Sequence, residues 1–289
     1  MNFNSKMKFY QDYFNSSLDN FLIKLKSKLS CDFFDCVSYP LLNGGKRIRP
    51  ILCYATAEAL GLSLKEVENY ALAIELIHTY SLVHDDLPAM DNDDFRRGKP
   101  STHKKFGEAN GILVGDALLN LAMEVCLDKE NLSVNDISAI KVIFECAGAF
   151  GMIKGQYFDL QDDKPQTEEF LYSIYENKTA KLLIAPVLVS SIVAGGVYND
   201  KFKEFAYNLG VLFQITDDLL DMFGSLEEIG KTPNKDEVEN KLTAISIFGV
   251  GGAKEREEYH YKKCKELLTK IPSTQFLGQL TDFIKNRKK

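Results

Sequence analysis

No excess of positive charge, no CxxC pair and no uninterrupted apolar run long enough to span a bilayer occur in the sequence, and each absence removes a class of function. A formal charge of -6 and a pI near 5.4 supply no global field for a nucleic-acid backbone, so clustered Arg and Lys need a local explanation. The six cysteines, Cys31, Cys36, Cys53, Cys126, Cys146 and Cys264, show no repeated metal-ligand spacing and read as reduced thiols of a cytoplasmic protein. The N-terminus lacks the basic start and continuous apolar stretch of a secretory signal. The most apolar region, Leu182 to Tyr198, falls short of the roughly 20 residues a spanning helix needs and carries Pro186 and two serines. It reads as a buried helix, and stable membrane insertion is not expected. Regular Val/Ile-rich strands and fixed-period repeats are also missing, which argues against a nucleotide-binding αβ fold and against a solenoid.

What is present is ordinary globular composition, 45% hydrophobic and 26% charged over 289 residues, enough for a sizeable core. Helical periodicity dominates. Ser63 with Glu66, and Ser133 with Asp136, form capping-box starts ahead of apolar runs ending near Asp86 and Leu160. Further helices are expected over about Phe3 to Leu29, Arg47 to Leu60, Ala109 to Leu127, Glu168 to Glu176, Thr179 to Ala194, Lys201 to Phe223, Glu237 to Phe248 and Ala253 to Thr269. Only short turn-rich segments separate them, so one domain is expected over 1–289. Several helices are apolar beyond one stripe, as in helices packed around a helical core.

Two acidic sites stand out. The first, His84 to Asp94, closes an apolar helix, and the second, Gln214 to Asp221, lies inside another. Asp217 and Asp221 share a helical face, with Asp218 adjacent to it. Like charges on an apolar helix are costly unless a cation compensates, and magnesium, which bridges carboxylates to substrate phosphates, is suited to do so. Asp85 and Asp91 differ: six positions turn a regular helix by about 600 degrees, leaving the side chains roughly 120 degrees apart. Pro88 removes a backbone donor and disfavours helix at Leu87, so a looped excursion is expected to bring Asp91 back toward Asp85.

The basic groups sit elsewhere. GGKRIRP puts Lys46, Arg47 and Arg49 at a helix start suited to an anion, Arg96 and Arg97 follow the first acid cluster, and Lys178 and Lys231 lie near helix boundaries. A substrate carrying two phosphates would organise both signs of charge.

These residues resemble those of the trans-isoprenyl diphosphate synthases, especially the bacterial farnesyl diphosphate synthases. The resemblance spans nearly the whole chain: Gly44 to Pro50, His78 to Pro100, GQYFDL at Gly155 to Leu160, Lys178-Thr179, and Phe213 to Asp221. It implies an all-α, single-domain isoprenoid synthase helical bundle around a central cavity, usually homodimeric. It further implies condensation of dimethylallyl or geranyl diphosphate with isopentenyl diphosphate, giving farnesyl diphosphate and pyrophosphate. Three magnesium ions would be held mainly by Asp85, Asp91 and Asp217, supported by Asp86, Asp218 and Asp221. Arg96, Lys178 and Lys231 would bind the allylic diphosphate, and Lys46, Arg49, His78 and Arg97 that of isopentenyl diphosphate. Thr179 and Gln214 would lie near the reacting allylic group, where their oxygen dipoles stabilise positive charge. A structural role for His84 is at least as good a reading as a chemical one.

Four residues separate Asp86 from Asp91, the inserted form of many bacterial members. Departures follow the second motif: Gly224-Ser225 stands where Gly-Asp is common, and the segment from Lys231 to Asp236 lacks the glycine often found before its last aspartate. Tyr80 lies five residues before Asp85, about 7.5 Å of helical rise, and its ring is the expected limit on product length. The competing reading has Tyr80 in the core or an interface, with Ile77 or Leu76 setting that limit. A geranylgeranyl diphosphate synthase is the chief functional alternative. A noncatalytic partner subunit fits the intact acids less well, and a terpene cyclase fits the second DDxxD poorly.

Overall fold

The computed structural model describes residues 1–223 and 241–287. Thirteen helices lie among them: α1 (Phe3–Lys26), α2 (Cys31–Leu42), α3 (Ile48–Ala59), α4 (Leu64–Asp85), α5 (Thr102–Phe106), α6 (Glu108–Leu127), α7 (Val134–Ala147), α8 (Met152–Asp159), α9 (Glu168–Ile174), α10 (Lys181–Val193), α11 (Asn199–Phe223), α12 (Ala244–Leu268) and α13 (Gln275–Lys285). A π-helical segment, Tyr175–Ala180, joins α9 to α10, and β1 (Phe95–Arg96) pairs antiparallel with β2 (Lys99–Pro100). The fold is all-α, and this minimal hairpin is its one departure among the described residues.

Helix α4 is buried around its circumference, from Val67 and Tyr70 to Tyr80 and Val83, and packs against α3, α6 and α10. The equally apolar α10 lies against α3, α4, α7 and α11, so its Leu182, Val187 and Val189 are core residues and Pro186 is accommodated inside it. A second apolar cluster forms where α9, the π-segment, α11 and α12 meet, around Leu171, Ile174, Ile215 and Ala253.

Both capping boxes form. The Ser63 amide donates to Glu66 Oε2 at 2.8 Å, and the Ser133 amide to Asp136 Oδ2 at 2.8 Å. Asp136 also accepts from the Tyr70 hydroxyl at 2.6 Å, tying the start of α7 to α4.

Three expectations are corrected. The helix expected to run on to Leu160 breaks between α7 and α8, where Gly148 and Gly151 leave helical backbone geometry. Helix α2, with Pro40 inside it, lies where no helix was expected. The helices expected at Glu237 to Phe248 and Ala253 to Thr269 join in α12, Ala244–Leu268, across a single non-helical residue, Gly249, at φ 66°, and 237–240 lie outside the described residues.

Candidate active site

Asp85 is the last residue of α4 and Asp86 caps it. Beyond them the chain turns tightly around Pro88: the Leu87 amide donates to the His84 carbonyl at 3.1 Å, that of Met90 to Leu87 at 2.9 Å, and that of Asp91 to Asp85 at 2.8 Å. The looped excursion expected from Pro88 therefore exists, and it returns Asp91 to the backbone of Asp85. Burial pushes the Asp85 carboxyl up to about 6; Lys178 opposes that shift and Asp91 adds to it. Asp91 faces Lys241 at 3.6 Å. Asp86 is buried and accepts from Arg96 Nε at 2.9 Å, so it orients an arginine beside the pair. The His84 ring meets the Ile112 carbonyl through Nε2 at 3.0 Å, a structural contact between α4 and α6.

The second motif divides in the same way. Asp217 accepts from Arg287 at 2.7 Å, and Asp221 is half-buried on the same helical face. Asp218 is buried, accepting from the Tyr175 hydroxyl, from Gln214 Nε2 at 3.1 Å and from the Ala244 amide at 2.7 Å. It pins the π-segment and the start of α12 to α11. Among the described residues no three His, Cys, Asp or Glu side chains form a group that could hold a metal alone. The donor set still fits magnesium, which takes one or two carboxylates and completes its shell with water and substrate oxygens.

Lys178 and Thr179 both lie in the π-segment, whose widened turn displaces them from a regular helical face. Two glycines let neighbouring helices reach that turn. A Cβ on Gly155 of α8 would sit 2.0 Å from the Lys178 amide nitrogen, and one on Gly210 of α11 would sit 2.4 Å from Ala180 Cα. Lys178 Nζ bonds Asp159 Oδ2 at 2.5 Å. Burial would lower its pKa, but Asp159, Asp85 and Asp91 outweigh that and raise it, so Lys178 is a held cation. The Thr179 hydroxyl donates to Gln214 Oε1 at 2.9 Å, extending a chain through Gln214 to Asp218.

Two cavities meet at these residues. The first, about 490 Å³, is lined by Lys46, Arg49, His78, Arg97 and Arg287, with Arg47 and Glu75 in its wall. The second, about 480 Å³, has Asp85, Lys178 and Thr179 at one part and an apolar sleeve of Leu119, Met152 and Ile153 that includes Tyr80. Arg49 and His78 belong to both. Burial drives the His78 pKa well down, reinforced by Arg49 and Arg97, so the ring is neutral. Tyr80 is 5% exposed and its hydroxyl has no hydrogen-bond partner among the described residues, whereas Ile77 and Leu76 are wholly buried in the core.

Geometry thus groups Lys46, Arg49, His78 and Arg97 in one cavity, and Asp85, Lys178, Thr179 and Tyr80 in the other. Arg96 stands beside the first aspartates, while Gln214, Asp217 and Asp221 lie along α11. Lys231, Lys235 and Asp236 lie outside the described residues. Sequence reasoning missed Arg287, which stacks on Phe213 at 3.7 Å and reaches the first cavity from the end of the chain. No spacing pattern marks it. It also missed Asp159, although the GQYFDL motif contains it, and Glu75, whose signal was available: it precedes His78 by three residues and so shares its face.

Residues 32–276 match the family described as polyprenyl synthetase. Farnesyl diphosphate synthase of Bacillus subtilis is 40% identical over 256 residues, covering 86% of each chain. Geranylgeranyl pyrophosphate synthase 4 of Arabidopsis thaliana is 42% identical over 257 residues, 86% of this chain and 69% of that one. Among solved structures, a geranyltransferase from Legionella pneumophila superposes with a TM-score of 0.85 at 31% identity, over 98% of this chain and 97% of the other. With an aspartate motif at the end of α4 and another within α11, and with matches over most of its length, the chain belongs to the polyprenyl synthetase family.

Proposed function

We propose that the chain is a prenyltransferase that condenses dimethylallyl and then geranyl diphosphate with isopentenyl diphosphate, forming farnesyl diphosphate and releasing pyrophosphate. The observation that carries this reading is the pair of cavities with a common wall. One is cationic, which suits the diphosphate of isopentenyl diphosphate on Lys46, Arg49, His78 and Arg97. The other joins charged groups to an apolar sleeve, which suits an allylic diphosphate and its tail. Their shared residues would set the two reacting carbons side by side, replacing a bimolecular encounter by a held geometry.

Lys178, fixed by Asp159, and Arg96, fixed by Asp86, grip the allylic diphosphate, with Lys231 as a third cation. As the allylic C–O bond breaks, its electron pair leaves with pyrophosphate and these cations take up the growing charge. Thr179 and Gln214 aim oxygen dipoles at the allylic carbon, and Asp218 holds Gln214 in that orientation. The alkene of isopentenyl diphosphate then forms the new C–C bond, and a proton lost to a pyrophosphate oxygen restores a double bond. Three magnesium ions, held chiefly by Asp85, Asp91 and Asp217 with Asp221 in support, would neutralise the diphosphate when bound. Asp86 and Asp218 support from behind.

The functional unit in this reading is one domain over 1–289, cytoplasmic and homodimeric. Half-exposed Ile112, Leu113, Met123 and Leu127 on α6 supply an apolar face for a second copy. The test is product mass after incubation with magnesium, isopentenyl diphosphate and each of dimethylallyl, geranyl and farnesyl diphosphate. Fifteen carbons are expected. A predominant twenty-carbon product would establish the geranylgeranyl alternative, and no condensation at all would establish a noncatalytic scaffold.

A further inference from the structure

The cationic cavity contains a carboxylate. Glu75 of α4 is 2% exposed, lies in the cavity wall and accepts from Arg47 at 2.8 Å. A negative charge inside a site for an anion works against binding, so its presence requires a compensating task. Arg47 shows what that task is. Its side chain is 5% exposed and donates to the Leu41 carbonyl at 2.7 Å, with its guanidinium over the Phe14 ring at 5.4 Å. The same residue caps α3 with left-handed backbone angles, φ 54° and ψ 36°, which a non-glycine residue adopts only when its surroundings hold it there.

The flanking residues explain the use of this strained start. Lys46 precedes Arg47 and Arg49 follows two residues later, and both line the cavity. Glu75 also attracts Arg49 and Arg97, partly offsetting the burial that lowers their pKa values. Of the three cations in GGKRIRP, then, one is bound inward by the protein and two face the ligand space.

We propose that the buried Arg47–Glu75 pair is a positioning device for the diphosphate of isopentenyl diphosphate, locking the left-handed start of α3 so that Lys46 and Arg49 are presented together. Arg47 itself is withheld from the ligand. The inference rests on the assignment of this cavity to isopentenyl diphosphate.

Three variants test it: Glu75→Gln, the double substitution Arg47→Met with Glu75→Met, and Lys46→Ala. Steady-state titration of each substrate at saturating partner is combined with thermal melting. In Glu75→Gln the KM for isopentenyl diphosphate should rise about tenfold or more, the scale of a lost charge-assisted contact. The KM for geranyl diphosphate should rise several-fold less, since of the two presented cations only Arg49 also lines the allylic cavity, and kcat should change far less than the first KM. In the double variant, apolar side chains replace a buried ion pair, so the melting temperature should recover while the raised KM does not. Recovery of both together would make the pair a stability element only and overturn the proposal, as would equal rises in the two KM values. Should Glu75→Gln fail to fold, the double variant decides by the same criterion. If Lys46→Ala also leaves the KM for isopentenyl diphosphate unchanged, the cavity assignment itself falls, and the positioning role with it.

Discussion

The Asp91 amide donates to the Asp85 carbonyl at 2.8 Å, so two carboxylates six positions apart in sequence belong to one tight turn. Burial raises the Asp85 pKa, and a bound cation would favour its ionised form. Asp85→Ala or Asp217→Ala should lower turnover at least about 100-fold at saturating substrates and magnesium, the size expected when several kcal/mol of charge stabilisation is lost. Circular dichroism must show folded variants. Turnover near wild type in both would remove these residues from the metal sites.

Separate cavities predict separate kinetic signatures. Lys46→Ala or Arg97→Ala should chiefly raise the KM for isopentenyl diphosphate, and Lys178→Ala or Lys231→Ala should chiefly impair allylic substrate use. Arg49 and His78, which face both cavities, should give mixed effects. Indistinguishable profiles for Lys46→Ala and Lys178→Ala would sink the division.

Tyr80 sits in the apolar sleeve with a buried hydroxyl that no group among the described residues satisfies. Tyr80→Ala should shift the product from fifteen carbons toward twenty or more, read by mass spectrometry with dimethylallyl and isopentenyl diphosphates supplied together. Tyr80→Phe keeps the ring and removes the orphan hydroxyl, so it should retain the fifteen-carbon product and gain about 1 kcal/mol of stability. An unchanged product in a folded, active Tyr80→Ala variant would return Tyr80 to a packing role.

His260 links three helices: Nδ1 meets Asn208 Oδ1 at 2.8 Å and Nε2 meets the Tyr172 hydroxyl at 3.2 Å. Burial, reinforced by Arg256, holds its pKa down to about 4. The folded chain binds this proton less readily than the unfolded one, so stability rises with pH in the window between the two pKa values. The contribution is whole above about pH 6.5, declines as pH falls toward 4, and amounts to at most about 3 kcal/mol. Urea melts at pH 7 and 4.5 should therefore differ less for His260→Gln than for wild type. An equal difference would show that other groups carry the acid sensitivity.

Much of this was legible in advance because it depends on local rules. Capping at Ser63 and Ser133 follows from side chains three residues apart, and the return of Asp91 follows from what Pro88 forbids. The grouping of Lys46, Arg49, His78 and Arg97 was available only through resemblance, since three separate segments contribute to it. Asp86 and Asp218 illustrate the limit. Sequence places them beside the aspartates proposed to hold metal, but only tertiary contacts turn them toward Arg96 and toward Tyr175, Gln214 and Ala244. Arg287 was invisible because its contact with Asp217 joins the end of the chain to α11 with no intervening pattern.

The π-segment has a consequence for how this chain tolerates insertions and deletions. A π-turn holds about one residue more than an α-helical turn, so the surplus shifts Lys178 and Thr179 locally while α9 and α10 keep near the phase of one continuous helix. Losing one residue there would let an ordinary helix run through with both flanking stripes kept, and only positions inside the wide turn would rotate, by about 100 degrees each. Lys178 and Thr179 would leave their places while the apolar face of α10 stayed in the core. A one-residue gap within Tyr175–Ala180 is therefore expected to cost chemistry before stability, whereas one in the exposed loop at Gln161 to Gln166 would cost neither.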